Sequence, residues 1–203
     1  MATVTGTPSA GKRQAILDAA IEAFLRAGYA ASVDDIAAAA GVGKQTVYRH
    51  FGDKQALFVA AVAAARDTAG VPAAALPTGT GDPIGDLTRL GDRILASALS
   101  PTVAALHRLT IAELVHHPEL GREWGESAAP VLDDELTEYF RRCDATGALS
   151  VADPARAARQ FAYLLITEGR VASAYGTRPL TAARRKAIAH ETADLLVRAH
   201  RPA

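Results

Sequence analysis

The chain has 203 residues, 49% of them apolar, enough to bury the core of one long domain or two small ones. Its 22 basic and 22 acidic residues cancel, so no whole-molecule field draws it to nucleic acid, a membrane surface or an acidic substrate. A single cysteine, Cys143, excludes an internal disulfide framework and suits a reducing compartment.

Charge is not quite even along the chain. Met1 to Arg66 holds seven basic and five acidic residues, and the remainder fifteen and seventeen. The opening MATVTGTPSAGKRQ has no charged region followed by an apolar one, so it reads as a disordered arm, residues 1–11, and not as a secretory leader. Apolar stretches are broken well before the roughly 18 residues of a membrane span. A cytoplasmic protein with no membrane partner is the expectation. Alanine is abundant and no segment alternates with period two, so the sequence predicts an all-α fold of about nine helices.

The first helix is expected from Lys12 to Ala27, with Ile16, Ala20, Ala23, Phe24 and Ala27 on one face and Gly28 as its stop. Asp18, Glu22 and Arg26 step along the opposite face as a solvated ladder. Ser32 is a good N-cap for a second helix ending at Gly41, with Asp35 in the place of a capping-box partner. A third helix covers Lys44 to Phe51, and a fourth follows Asp53 to about Ala69. The stretch GVPAAALPTGTGD reads as a linker, giving a first domain at 12–70, a linker at 71–82 and a second domain at 83–203.

Asp82 and Pro83 are an N-cap and N1 pair opening a fifth helix, whose stripe is Ile84, Leu87, Leu90, Ile94 and Leu95. A sixth, Thr102 to His116, is apolar on most sides and reads as the central buried helix of the second domain. The seventh follows Pro118 to Thr146, with Leu120, Trp124, Val131, Leu132, Leu136, Tyr139 and Phe140 inward and a kink or split at Pro130. Asp153 and Pro154 open the eighth, which runs to Tyr175; Thr181 opens the ninth, which runs to about His200.

The second and third helices carry the chemistry. With Val33 as the first position of a helix-turn-helix, Ala37 falls at the fifth, Gly41 at the ninth and Val47 at the fifteenth. The fifth position faces the second helix at close range and needs a small side chain, and the ninth needs a positive φ. Val47 and Phe51 can then point inward, leaving Lys44, Gln45, Thr46, Tyr48, Arg49 and His50 outward on a helix with no acid. Such a face of donors and cations suits phosphates and base edges. Lys54 opposes the dipole of the fourth helix, and a backbone phosphate would answer both it and the N–H groups there.

The segment AILDAAIEAFLRAGYAASVDDIAAAAGVGKQTVYRHFGDKQALF resembles the DNA-binding domain of the tetracycline-repressor (TetR) family. The resemblance rests on the Gly28-Tyr29 corner, the Ser-Val-Asp-Asp-Ile-Ala start, the Gly-Val turn, the Tyr-Arg-His-Phe end and the Lys-x-x-Leu opening. It implies a homodimer whose third helices enter successive major grooves of a near-palindromic duplex operator. By the same pattern Gln45 and Thr46, with Lys44 beside them, would read bases. Ser32, Tyr48, His50 and Lys54 would hold phosphates, and Arg49 could do either. Gly43 stands where the family has serine or threonine.

LHRLTIAELVHHPEL and DPARAARQFAYLL resemble one subgroup of the family's regulatory domain, whose last two helices pair across a two-fold axis. Stripes of Phe161, Leu164, Leu165, Val171 and Ala172, and of Ile188, Thr192, Leu195, Leu196 and Ala199, would serve either that pairing or a monomer core. A small, largely apolar effector would use His107, Trp124, Tyr139, Tyr163 or Glu168 as polar anchors. Adjacent His116 and His117 point about 100° apart on a helix and do not share a metal. The expectation is a ligand-responsive regulator, most simply a repressor, with no metal, cofactor or catalytic residue. An activator or architectural DNA binder of the same fold is the alternative. A small-molecule-binding enzyme is a distant one, since no nucleophile elbow, phosphate loop or dinucleotide fingerprint is present.

Overall fold

The computed structural model describes residues 8–69, 81–118, 120 and 130–202. Nine α-helices can be followed end to end among the described residues, with one 3-10 turn and no strand. They are α1 Pro8–Ala27, the 3-10 turn Gly28–Ala30, α2 Val33–Ala39, α3 Lys44–Phe51, α4 Lys54–Ala69, α5 Pro83–Ala98, α6 Pro101–Glu113, α7 Pro130–Ala145, α8 Pro154–Ala172 and α9 Ala182–Ala199. The all-α expectation holds. No single helix among the described residues is long and apolar enough to cross a membrane.

Helix α1 starts at Pro8, ahead of the expected Lys12, because a proline at the first helical position sacrifices no hydrogen bond. Pro8 to Gly11 are therefore helical, and residues 1–7 of the expected arm lie outside the described residues. Of the expected linker only 81–82 is described, and there Asp82 caps α5 through Gly85 N–H at 2.9 Å. Asp153 and Thr181 cap α8 and α9 in the same way, through the N–H groups of Arg156 and Arg184. Helix α7 opens on Pro130; Trp124, and the side chains of Val131 and Leu132, lie outside the described residues.

The chain divides into two compact units, Met1–Thr68 with Ala105–Ala128, and Ala69–Ala104 with Ala129–Ala203. Helix α6 begins in the second and from Ala105 belongs to the first, so it is not the central helix of the second. Its burial is one-sided: Val103, Ala104, Leu106, His107 and Thr110 are covered, while Ile111 is 45% exposed.

In the first unit Ile16, Leu17, Ala20 and Phe24 of α1 are buried with Ile36 of α2, Val47 of α3 and Leu57, Phe58 and Ala61 of α4. Ala27, expected on this face, is exposed. Phe58 stands edge-on to Phe24 and to Tyr29, at centroid distances of 5.0 and 5.3 Å. Gly28 takes φ +65°, the left-handed geometry its role as a helix stop requires.

In the second unit α5 packs along α9, and α8 packs on α5, α7 and α9. The core contains Leu87, Leu90, Ile94, Leu136, Phe140, Phe161, Leu165, Ile188 and Leu196. Gly91 lets the helices close: a Cβ there would lie 3.0 Å from the Ala189 Cβ and 3.3 Å from Leu165 Cδ1. Among the described residues one carboxylate enters this core. Asp86 is 1% exposed and accepts from the Tyr139 hydroxyl at 3.2 Å and from the Arg89 guanidinium. Burial pushes the Tyr139 phenol and the Cys143 thiol above their ordinary pKa values.

The stripes expected on α8 and α9 resolve into two faces each. Phe161, Leu165, Ile188, Thr192 and Leu196 are buried, whereas Leu164, Val171 and Leu195 are 47%, 62% and 55% exposed. Neighbouring positions on a helix point about 100° apart, so Leu164 and Leu165 do not share a face.

Gly91→Val inserts atoms where the Ala189 methyl already stands, and is expected to lower unfolding free energy by about 1–3 kcal/mol. A urea titration in which the midpoint falls and the slope stays constant would register this.

Candidate nucleic-acid interface

The corner between α2 and α3 is set by backbone geometry. Ser32, in extended conformation, accepts from Asp34 N–H through its hydroxyl at 3.1 Å and starts α2. Gly41 takes φ +66°, turning the chain, while Gly41 N–H donates to the Ala38 carbonyl at 3.1 Å and Val42 N–H to the Ala37 carbonyl at 3.0 Å. Gly43 then caps α3 with φ −77° and ψ 149°, its carbonyl accepting from Thr46 N–H at 2.8 Å but with no side chain to cap the first turn. Ala37 and Val47 are 3% and 1% exposed, the burial their spacing predicts.

With Val47 and Phe51 inward, α3 turns Lys44, Gln45, Tyr48 and Arg49 to solvent, and Thr46 and His50 are half-buried beside them. Ser32 is also half-buried at the start of α2. The structure thus gathers the expected DNA-contact residues of α2 and α3 at one corner. Lys54 lies in the first turn of α4, half-buried, with its ammonium 4.9 Å from the Tyr29 ring centroid. That aromatic seat offsets the unfavourable helix dipole, a cation–π contact of roughly 0.5–1 kcal/mol at a solvated site. Asp53 Oδ1 accepts from Ala56 N–H at 2.7 Å, so one of the N–H groups expected to await a phosphate is already paired.

Two features escape a reading of α3 alone. The outward surface is not free of acid, because Asp34 of α2 lies against it and its Oδ2 meets Lys44 Nζ at 2.8 Å. The hydrogen bond to Asp34 and its charge raise the Lys44 ammonium pKa above its ordinary value. Arg13 of α1 places its guanidinium 5.1 Å from the Phe51 ring centroid, adding a cation beside the end of α3. Both partnerships join residues ten or more positions apart across turns, where helical periodicity carries no signal.

The expected effector anchors that are described stand in different surroundings. Tyr139 is sealed in the core of the second unit, and His107 is buried on the part of α6 that belongs to the first. Tyr163 is 68% exposed and lines an open groove between α8 and α9 with Glu168, Val171, Leu195 and Arg198. Glu168 pairs there with Arg184 at 3.7 Å. Trp124 is outside the described residues.

Comparison with known proteins gives two matches along the chain. Residues 16–61 match the profile described as bacterial regulatory proteins, tetR family, and residues 85–202 match that of the AefR-like transcriptional repressor C-terminal domain. No curated protein resembles the chain closely enough in sequence to count as a relative. Among solved structures, a TetR-family transcriptional regulator from Mesorhizobium loti is 28% identical with a TM-score of 0.79, over 97% of this chain and 100% of that one. The flavonoid-responsive regulator FrrA is 26% identical with a TM-score of 0.74, over 94% and 97%. The fatty acid degradation regulator FadR from Bacillus halodurans, 20% identical with a TM-score of 0.66 over 96% and 97%, shares the fold. These relatives are regulators and not enzymes.

The two turn glycines should respond in opposite directions. Gly41→Ala forces a Cβ into the left-handed region at a cost of about 1–2 kcal/mol, although no atom lies within 4 Å of it. Gly43→Ser supplies the missing capping oxygen and should stabilise α3 by a few tenths of a kcal/mol. Paired thermal melts of the two variants against the parent would separate these effects.

Proposed function

The chain belongs to the TetR family of bacterial regulatory proteins, and on that basis we propose that it is a cytoplasmic, homodimeric repressor released from a near-palindromic operator by a small molecule. The observation that carries the reading is the α3 surface, where Val47 and Phe51 anchor the helix and donors cover its other side. Presented twice at about 34 Å, the spacing of successive major grooves, it matches a two-fold symmetric site. Gln45 and Thr46 read base edges with Lys44 beside them; Ser32, Tyr48, His50 and Lys54 hold phosphates, and Arg49 serves either role. Residues 12–70 carry this activity, and residues 83–203, beyond the linker at 71–82, sense the effector and pair the subunits.

The exposed side of α8 and α9 supports the dimer. Tyr163, Leu164, Val171 and Leu195 leave apolar surface in water, and the charged pairs Glu168–Arg184 and Asp194–Arg198 border the same groove. A second copy covers such a face about a two-fold axis. The effector is small and largely apolar, in keeping with the flavonoid response of FrrA. It shifts α4 and alters the separation of the two reading helices. A hundredfold loss of operator affinity needs about 3 kcal/mol of preference for the unfitted spacing.

Selection of bound fragments from random duplex DNA is expected to return an inverted repeat, and recovery of no preferred sequence would overturn the reading. On that repeat Lys54→Ala should weaken binding to all duplexes alike and flatten the salt slope by about one unit. Gln45→Ala should instead change which bases are preferred.

Replacing Leu195 and Val171 together by Glu should convert the dimer to monomer in sedimentation while leaving helicity intact. An unchanged sedimentation coefficient would move the interface elsewhere.

A further inference from the structure

We infer that Asp34 is a specificity-determining residue of the reading face, holding the Lys44 ammonium toward base edges and keeping it off the phosphate backbone. The inference rests on the DNA-binding reading above and names a group to which that reading gives no role. Asp34 is the second residue of α2 and Lys44 the first of α3, and their side chains, 63% and 47% exposed, meet at 2.8 Å. Neither is needed to hold the corner, which is fixed by Gly41, the Val42–Ala37 hydrogen bond and the buried Val47. An exposed pair of this kind adds about 0–1 kcal/mol to stability, so folding does not account for it.

Its effect on recognition is larger. The first residues of a reading helix face base edges, so the pair stands where discrimination is made. A lysine ammonium has three donors on a flexible stem and goes as readily to a phosphate as to a base. With one donor committed to Asp34 Oδ2, two remain, matching the O6 and N7 acceptors of guanine. The carboxylate repels phosphate oxygens, and moving Lys44 to the backbone breaks its pair with Asp34. Asp34 therefore trades general affinity for selectivity.

The test uses full-length protein, the highest-ranked duplex from selection and a random duplex of equal length, across a salt series. Asp34→Asn should tighten binding to the random duplex, steepen its salt slope by about 0.9 as Lys44 gains a phosphate, and narrow the specificity ratio by about tenfold. Repeated selection with this variant should relax one guanine in each half-site. The relaxation should be absent when Lys44→Ala is the background, and Asp34→Glu should retain the guanine preference. Unchanged preference and slope in Asp34→Asn, or the same relaxation without Lys44, would overturn the inference. Lys54→Ala, run in parallel, reports on DNA binding itself. If Lys54→Ala flattens the slope and Asp34→Asn is silent, only the role of Asp34 fails; if wild-type protein binds no duplex, both readings fail.

Discussion

The left-handed turn at Gly41 is the constraint on which the outward surface of α3 depends. It brings α3 back against α2, burying the Ala37 methyl and the Val47 side chain. Burying a side chain such as Val47 or Phe51 is worth roughly 1.5–3 kcal/mol, several times an exposed ion pair. Geometry and chemistry are thus assigned to different residues. Apolar groups on the inner side of α3 decide where the helix points, and polar groups on its outer side are free to differ without unseating it.

The second unit divides labour differently. Its helices are held by shape, with Gly91 admitting the Ala189 methyl, and by one buried polar centre in which Asp86 binds both Tyr139 and Arg89. A buried carboxylate is tolerated only with such partners, since desolvating an unpaired charge would cost several kcal/mol. Helices α8 and α9 have an inward apolar face that completes this core and an outward one that does not. The inward residues answer to the fold, and the outward ones to whatever the molecule meets.

Most of this was legible in the sequence wherever a signal is local. Ser32, Asp82, Asp153 and Thr181 are capping residues at the helix starts they announce, and Ala37, Gly41 and Val47 hold the spacing of the corner because each satisfies a steric need within fifteen residues. Periodicity failed where two faces of one helix are both apolar: Leu164 and Leu165 look alike in sequence, and only packing sends one inward. It failed again at Lys44, whose partner Asp34 lies on another helix, and at Arg13, whose seat on Phe51 depends on how α1 crosses α3.

The chain contains two sulfur atoms, in Met1 and Cys143, and the second is 8% exposed with its thiol pushed toward the protonated form. Thiolate is the nucleophile in disulfide exchange and in attack on peroxides or electrophiles, so burial and protonation both disfavour reaction at this sulfur. Labelling of this thiol therefore reports on opening of the second unit's core.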